Sequence, residues 1–204
     1  MEVTGNFQVD KISSSLKEYV NNYLPSLIDS GKIDFSDTFK NRFTLEANFK
    51  NTAPLFNFFL PGYQLGENTV VNASYEPEGN NLKLYLQSPF IEANASKWQA
   101  LYLNMNSNDS IFSISSGSEK LIIGNRIELE NFTINSETTH DTSSILLRWN
   151  NWDSSLYRGS IKALVNFEQD SLGKIITAIN FQPTRIITYD SIWNIAKSGI
   201  KNKK

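Results

Sequence analysis

Asn81-Leu82-Lys83-Leu84-Tyr85-Leu86-Gln87 alternates apolar and polar side chains at a period of two. A strand has that period, so Leu82, Leu84 and Leu86 leave one face of a sheet while Lys83 and Tyr85 leave the other. The pattern recurs toward the C-terminus. Leu101, Leu103 and Met105 are separated by Tyr102 and Asn104, and Ile127 and Leu129 by Glu128. Ile145, Leu147 and Trp149 are separated by Leu146 and Arg148; Ile161, Ala163, Val165 and Phe167 by Lys162, Leu164 and Asn166. Ile175 and Ile179 extend the set. Many one-sided strands in succession make one long apolar wall, and function turns on what covers it.

Candidate strands fall at 32–36, 39–50, 69–76, 81–87, 90–95, 97–106, 110–115, 120–124, 126–136, 143–149, 157–168, 174–182, 185–189 and 192–195. Turn signals separate them: Pro77-Glu78-Gly79-Asn80, Ser107-Asn108-Asp109, Ser116-Gly117-Ser118, Gly124-Asn125, Asp153-Ser154-Ser155 and Asp170-Ser171-Leu172-Gly173. Short links between amphipathic strands predict an antiparallel meander, and the lack of helix-length crossovers argues against α/β folds. Leu129 and Phe132 share a face only if an extra residue intervenes, which predicts a bulge near Asn131. The dipeptide Asn-Phe recurs at 6–7, 48–49, 57–58, 131–132, 166–167 and 180–181, mostly as a strand closer.

Before the meander, Gly5–Val9 reads as a short strand and one helix follows. Ile12, Leu16, Tyr19, Val20, Tyr23, Leu24 and Leu27 form a helical stripe. Ser15-Leu16-Lys17-Glu18 resembles a capping box that starts the helix near Leu16; Pro25 and then Gly31 stop it. So wide an apolar face needs a partner, and the end of the sheet is the expected one. Residues 51–66 fit either a strand buried on both faces, through Leu55-Phe56-Asn57-Phe58-Phe59-Leu60, or an insertion that plugs the sheet. The expected organisation is a single all-β segment: strand and helix over 5–30, meander over 31–196, polar lysine-bearing tail over 197–204.

Composition narrows the function classes. The chain has 204 residues and a net charge of -2, so no global basic field draws it to nucleic acid or anionic lipid. Basic residues are not interleaved with aromatics as in single-strand nucleic-acid binders. Without cysteine there are no disulfides, thiolate metal sites or cysteine nucleophiles. No apolar run is long enough for a membrane-spanning helix. A strand so close to Met1, with no export signal before it, suggests a segment of a longer protein. Asn-X-Ser/Thr at Asn72, Asn94, Asn108 and Asn131 is expected by chance in an Asn-rich chain.

Catalytic chemistry finds no foothold. The single histidine, His140, adjoins Asp141 in the polar stretch Ser136–Ser144, with no nucleophile motif to complete a triad. No His/Asp/Glu cluster has metal spacing, and no cofactor motif is present. Glu128 and Glu130 read as the wet side of a strand rather than a glycosidase pair. Trp149 continues the inward set of Ile145 and Leu147; Trp152 covers the following turn, or offers a surface for sugar stacking.

The order of elements resembles an interior segment of TamB-type translocation and assembly proteins of the AsmA-like superfamily, in a Bacteroidetes-like form. The points of similarity are Tyr23-Leu24-Pro25, Trp149-Asn150-Asn151-Trp152 and Asp190-Ser191-Ile192-Trp193-Asn194-Ile195. The resemblance implies a long curved antiparallel sheet, the β-taco half-pipe with an apolar interior, in a periplasmic protein anchored in the inner membrane. It implies a conduit that carries phospholipid between membranes and supports outer-membrane protein assembly. The implied partners are phospholipid acyl chains, neighbouring segments of the same chain, and outer-membrane assembly proteins through regions outside this sequence. The groove lining would be Leu82, Leu84, Leu86, Leu101, Leu103, Met105, Ile127, Leu129, Ile145, Leu147, Ile161, Val165, Phe167, Ile175 and Ile179. The same residues would also make the core of a compact β-sandwich for binding or adhesion, with glycans met near Trp152.

Overall fold

The computed structural model describes residues 1–28, 40–124, 127–150, 158–188 and 191–203. The candidate strand 32–36, Gly31, Trp152 and the turn at Asp153-Ser154-Ser155 lie outside these. The strands are β1 (Glu2–Asn6), β2 (Arg42–Phe49), β3 (Tyr63–Leu65), β4 (Thr69–Glu76), β5 (Asn81–Ala93), β6 (Ser96–Ser107) and β7 (Phe112–Ile123). They continue as β8 (Ile127–Thr139), β9 (Thr142–Asn150), β10 (Arg158–Gln169), β11 (Ile175–Phe181), β12 (Thr184–Thr188), β13 (Ser191–Ile195) and β14 (Ser198–Lys203). Two short helices accompany them, α1 (Ile12–Tyr23) and α2 (Ala53–Phe59).

All strands belong to one antiparallel, open sheet of fourteen, with the main path β1-β2-β4-β5-β6-β7-β8-β9-β10-β11-β14. Two side pairings complete it. β4 pairs with β5 as far as Gln87, and β3 pairs with Ile91–Ala93 beyond. Likewise β11 takes one half of the free edge of β10, while the β12–β13 hairpin meets Arg158 and Gly159.

The accessible surface is 13090 Å², against about 9,700 Å² expected for a compact chain of 23.2 kDa. The excess marks a sheet with a face left open. Among the described residues only Tyr19, Tyr23, Ala47, Ala73, Leu121, Ala163 and Val165 are buried hydrophobics. The leucines of β5 and β6 are half-buried by their neighbours. A face-to-face sandwich would have removed them from water.

Several expectations are corrected. Candidate strands 81–87 and 90–95 are one strand, β5, and 110–115 and 120–124 are one strand, β7; Ser116-Gly117-Ser118 lies inside β7, not in a turn. Gly117 is needed there because the Tyr102 ring of β6 lies over it, 2.5 Å from where a Cβ would stand. Helix α1 begins at Ile12, not near Leu16, and Ser15 caps nothing: its hydroxyl accepts from Asn41 Nδ2 at 2.7 Å. Residues 51–66 supply neither a strand buried on both faces nor a plug. Pro54, in the first turn of α2, sets its helical start, and Phe58 and Phe59 stand in solvent. The polar tail over 197–204 is largely strand β14, with Ile200 opposite Ile179. The stretch around His140 is a two-residue hairpin between Thr139 and Thr142, not a loop; His140 and Asp141 both have positive φ, at 42° and 61°. Asn-Phe closes β2 and β11, but lies within α2 at 57–58 and mid-strand at 131–132.

Candidate functional site, an apolar concave face

Register sorts side chains by face, because directly opposed residues project the same way. One row runs Val3, Leu45, Ala73, Leu84, Met105, Ile114, Ser136, Ile145, Ala163, Phe181 and Ser198 across eleven strands. Its neighbour runs Ala47, Val71, Leu86, Leu103, Ser116, Ile134, Leu147 and Ile161. Val165 stands opposite Ile179, and Phe167 opposite Thr177, in rows of the same face. None of these residues is charged. The opposite face carries Thr44, Ser74, Lys83, Asn106, Ser113, Glu137, Ser144, Leu164 and Asn180 in one row. The rows bring together Leu82, Leu84, Leu86, Leu101, Leu103, Met105, Ile145, Leu147, Ile161, Val165, Phe167, Ile175 and Ile179.

Ile127 and Leu129 stand apart. Strict alternation puts them on the face opposite Phe132 and Ile134, but Asn131 between them has φ 49°, in the left-handed region. Ala100 has φ 48°, and register aligns Pro89, Ala100, Glu119 and Asn131 across β5 to β8. The expected irregularity at Asn131 is therefore present, but as a crease shared by several strands. No single strand slips: Ser118 faces Phe132 before the crease and Lys120 faces Glu130 beyond it. Past it Trp98, Leu121 and Leu129 form their own row, with Leu121 only 4% exposed. Glu128 instead pairs with Lys120 at 2.6 Å, as the wet side of the strand requires.

Trp149 keeps its inward place opposite Gly159, where a Cβ would stand 2.3 Å from the indole. The glycine lets the ring lie flat on the sheet.

Helix α1 crosses the strand ends along one rim, and its bonds follow strand order. Ser15 meets Asn41 beside β2; Asn22 Nδ2 donates to Asn80 Oδ1 in the β4–β5 turn at 2.8 Å. Tyr23 donates its hydroxyl proton to the Asn108 carbonyl in the β6–β7 turn at 2.5 Å. The Asp141 amide donates to the Tyr23 carbonyl at 2.9 Å, while its carboxylate accepts from Ser26 N and Oγ at 2.8 and 2.9 Å. Gln169, at the end of β10, donates to the Ser26 carbonyl at 3.0 Å. From Ser15 to Ser26 the chain advances about 17 Å. On a flat sheet β2 and β10 would lie about 34 Å apart. The strand ends must therefore converge on the helix, which makes the face under α1 the concave one. That face is the apolar one, since Tyr19 stacks edge-on against Tyr75 of β4 and Phe112 of β7 at 5.7 and 6.0 Å.

Beneath α1 the apolar face runs into a cavity of about 130 Å³ lined by Leu16, Tyr19, Phe43, Tyr75 and Leu82, with Ser15 and Asn41 at its border. Leu16, placed on the buried stripe by periodicity, is 59% exposed at this border. The Tyr19 hydroxyl is buried without a hydrogen-bond partner. Burial pushes it far above the ordinary tyrosine value, and the nearby Ser107 hydroxyl offsets this only in part. Burial also raises Tyr23 and Tyr75.

Two results follow. Tyr19→Phe should leave stability unchanged or raise it by up to about 1 kcal/mol, because an unsatisfied hydroxyl is removed; Tyr23→Phe should cost about 1 kcal/mol. Urea titrations of both variants check this, and equal losses would contradict it. The raised tyrosines also set a pH limit. Their protonated forms are favoured by folding, so stability is whole below the ordinary value of 10.0 and falls as pH rises past it.

Among the described residues no three His, Asp or Glu side chains gather as a metal site. No helix among them is long and apolar enough to cross a membrane. Exposed His140 lies 3.2 Å from the Thr139 hydroxyl. Fold and site together define an open, curved antiparallel sheet with an uncharged apolar concavity strapped along one rim by a helix. Comparison with protein-family models, curated proteins and solved structures finds no match to this chain.

Proposed function

We propose that the concave face binds the acyl chains of phospholipids, and that the chain is a segment of a periplasmic conduit of the TamB type. One observation carries the reading: rows of apolar, uncharged side chains continue across the sheet and are only half-buried by the protein itself. An apolar face of that extent calls for a ligand or a partner. Eleven strands on the main path give an apolar arc about 48 Å long, measured around the curved sheet. A monolayer's hydrocarbon depth is about 15 Å, so the arc exceeds one acyl chain several times over.

The energetics suit carriage. An acyl chain gains about 0.8 kcal/mol per buried methylene, on the order of 10 kcal/mol per tail. Sliding along the trough needs a level profile, and the rows offer no charge to trap a headgroup. Small hydroxyl residues such as Ser116 and Ser136 alternate with the leucines and isoleucines and leave width for a chain. Supporting outer-membrane protein assembly, and anchoring in the inner membrane, belong in this reading to parts of the protein beyond this segment.

Native mass spectrometry of the chain purified without detergent, followed by solvent extraction, tests the reading. Phospholipid in variable copy number is expected. A clean apo mass that persists after incubation with liposomes would sink it and favour a self-covered binding module.

A further inference from the structure

We propose that helix α2 is a membrane-contact tip, which inserts Phe58, Phe59 and Leu60 into the interface of a lipid bilayer. The proposal stands on a different surface from the concave face and holds whether or not that face carries lipid.

Residues 51–66 contain no charged side chain. At their centre Phe58 is 80% exposed, Phe59 69% and Leu60 50%, with Tyr63 at 41% close by. The two phenyl rings meet in an edge contact at 4.8 Å. The element is nonetheless firmly held. Thr52, 6% exposed, donates to the Leu65 carbonyl at 3.3 Å, Gly66 N to Phe90 O at 2.8 Å, and Asn94 N to Gly62 O at 2.7 Å. Strand β3 ties the same segment to β5. A rigid base thus holds large apolar groups out in water, which has a cost and implies an occupant.

The directions of the side chains identify that occupant. A helix docking in a protein groove presents one face, at i, i+3 and i+4. Here Phe58 and Phe59 are consecutive, about 100° apart around the axis, and Leu60 follows at the helix end. An apolar surface pointing several ways suits a fluid that closes around it from all sides, as the acyl boundary of a bilayer does. The lack of charge on the segment means that contact does not depend on anionic lipid. The tip lies at the end of β2 and the far end of β5, the rim opposite α1.

The test is flotation of the full 204-residue chain with vesicles of neutral phosphatidylcholine. The wild-type chain should float, and Phe58→Ser combined with Phe59→Ser should lower the floated fraction at least about tenfold. The melting temperature of that variant should stay within about 2 °C, because both side chains are exposed. Leu172→Ser, at an exposed leucine in the turn between β10 and β11 on the other rim, should float like wild type, which separates contact by the tip from exposure of any apolar side chain. Phe58→Trp should shift its emission to shorter wavelength when vesicles are added. Failure of the wild type to float, or undiminished flotation of the double serine variant, overturns the proposal. A Phe58→Trp shift that grows with protein concentration in the absence of vesicles also overturns it, and makes a second copy of the chain the occupant.

Discussion

Leu103→Arg should fold and lose bound lipid. Leu103 lies mid-row between Leu86 and Ser116, half-buried on the concave face. In a closed core an arginine at that place would leave a buried, unpaired charge and cost several kcal/mol. On an open trough its stem lies along the leucines while the guanidinium reaches water, so the cost should be about 1 kcal/mol. The charge would then stand in the path of any acyl chain. Co-purified phospholipid should fall at least about tenfold, since each displaced methylene forfeits about 0.8 kcal/mol. Circular dichroism and quantified lipid extraction read the two effects separately. An unfolded variant would mean a covered core; a folded variant with undiminished lipid would remove this row from the trough.

Asp141→Ala should detach the helical strap. The carboxylate accepts two hydrogen bonds from Ser26, and the Asp141 backbone bonds Tyr23 on one side and Phe167 on the other. Hydrogen bonds to a charged acceptor contribute about 1.5–3 kcal/mol each, and alanine also strains at φ 61°. A loss of about 3 kcal/mol is expected, or a melting temperature lower by about 6–12 °C for a chain of this size. Asp141→Asn tolerates the left-handed backbone and keeps one acceptor, so it should lose less. Hydrogen exchange should show α1 amides opening before the strands. Negligible loss in both variants would mean that the backbone, not the carboxylate, holds the strap.

The apolar rows were legible because the period of two survives in the long strands on either side of the crease; Leu82 to Leu86 and Ile145 to Trp149 place their side chains with no tertiary information. Breaks in the pattern were harder to read. Ser116-Gly117-Ser118 has turn composition, but Gly117 serves the ring of Tyr102, a contact between strands that sequence spacing does not encode. Pro89, between candidate strands 81–87 and 90–95, falls where β5 exchanges β4 for β3 as neighbour, so its missing amide hydrogen costs no ladder bond. Leu55–Leu60 is apolar at every position but Asn57, and period cannot separate helix from strand in so short a run. The lysines of β14 read as a solvated tail, whereas lysine is also what keeps an edge strand from pairing with other chains. Leu16 illustrates the same limit on α1: the helical stripe is wider than the surface that receives it, and Tyr19 and Tyr23 take the place.

The most direct measurement is photo-crosslinking with a phospholipid that carries a diazirine near the end of its acyl chain, followed by peptide mapping. Adducts are expected at Leu84, Leu103, Ile134, Leu147 and Val165, with none at Tyr85, Tyr102, Leu146 or Leu164 on the opposite face. Adducts on both faces alike, or on neither, would contradict an acyl-binding concavity.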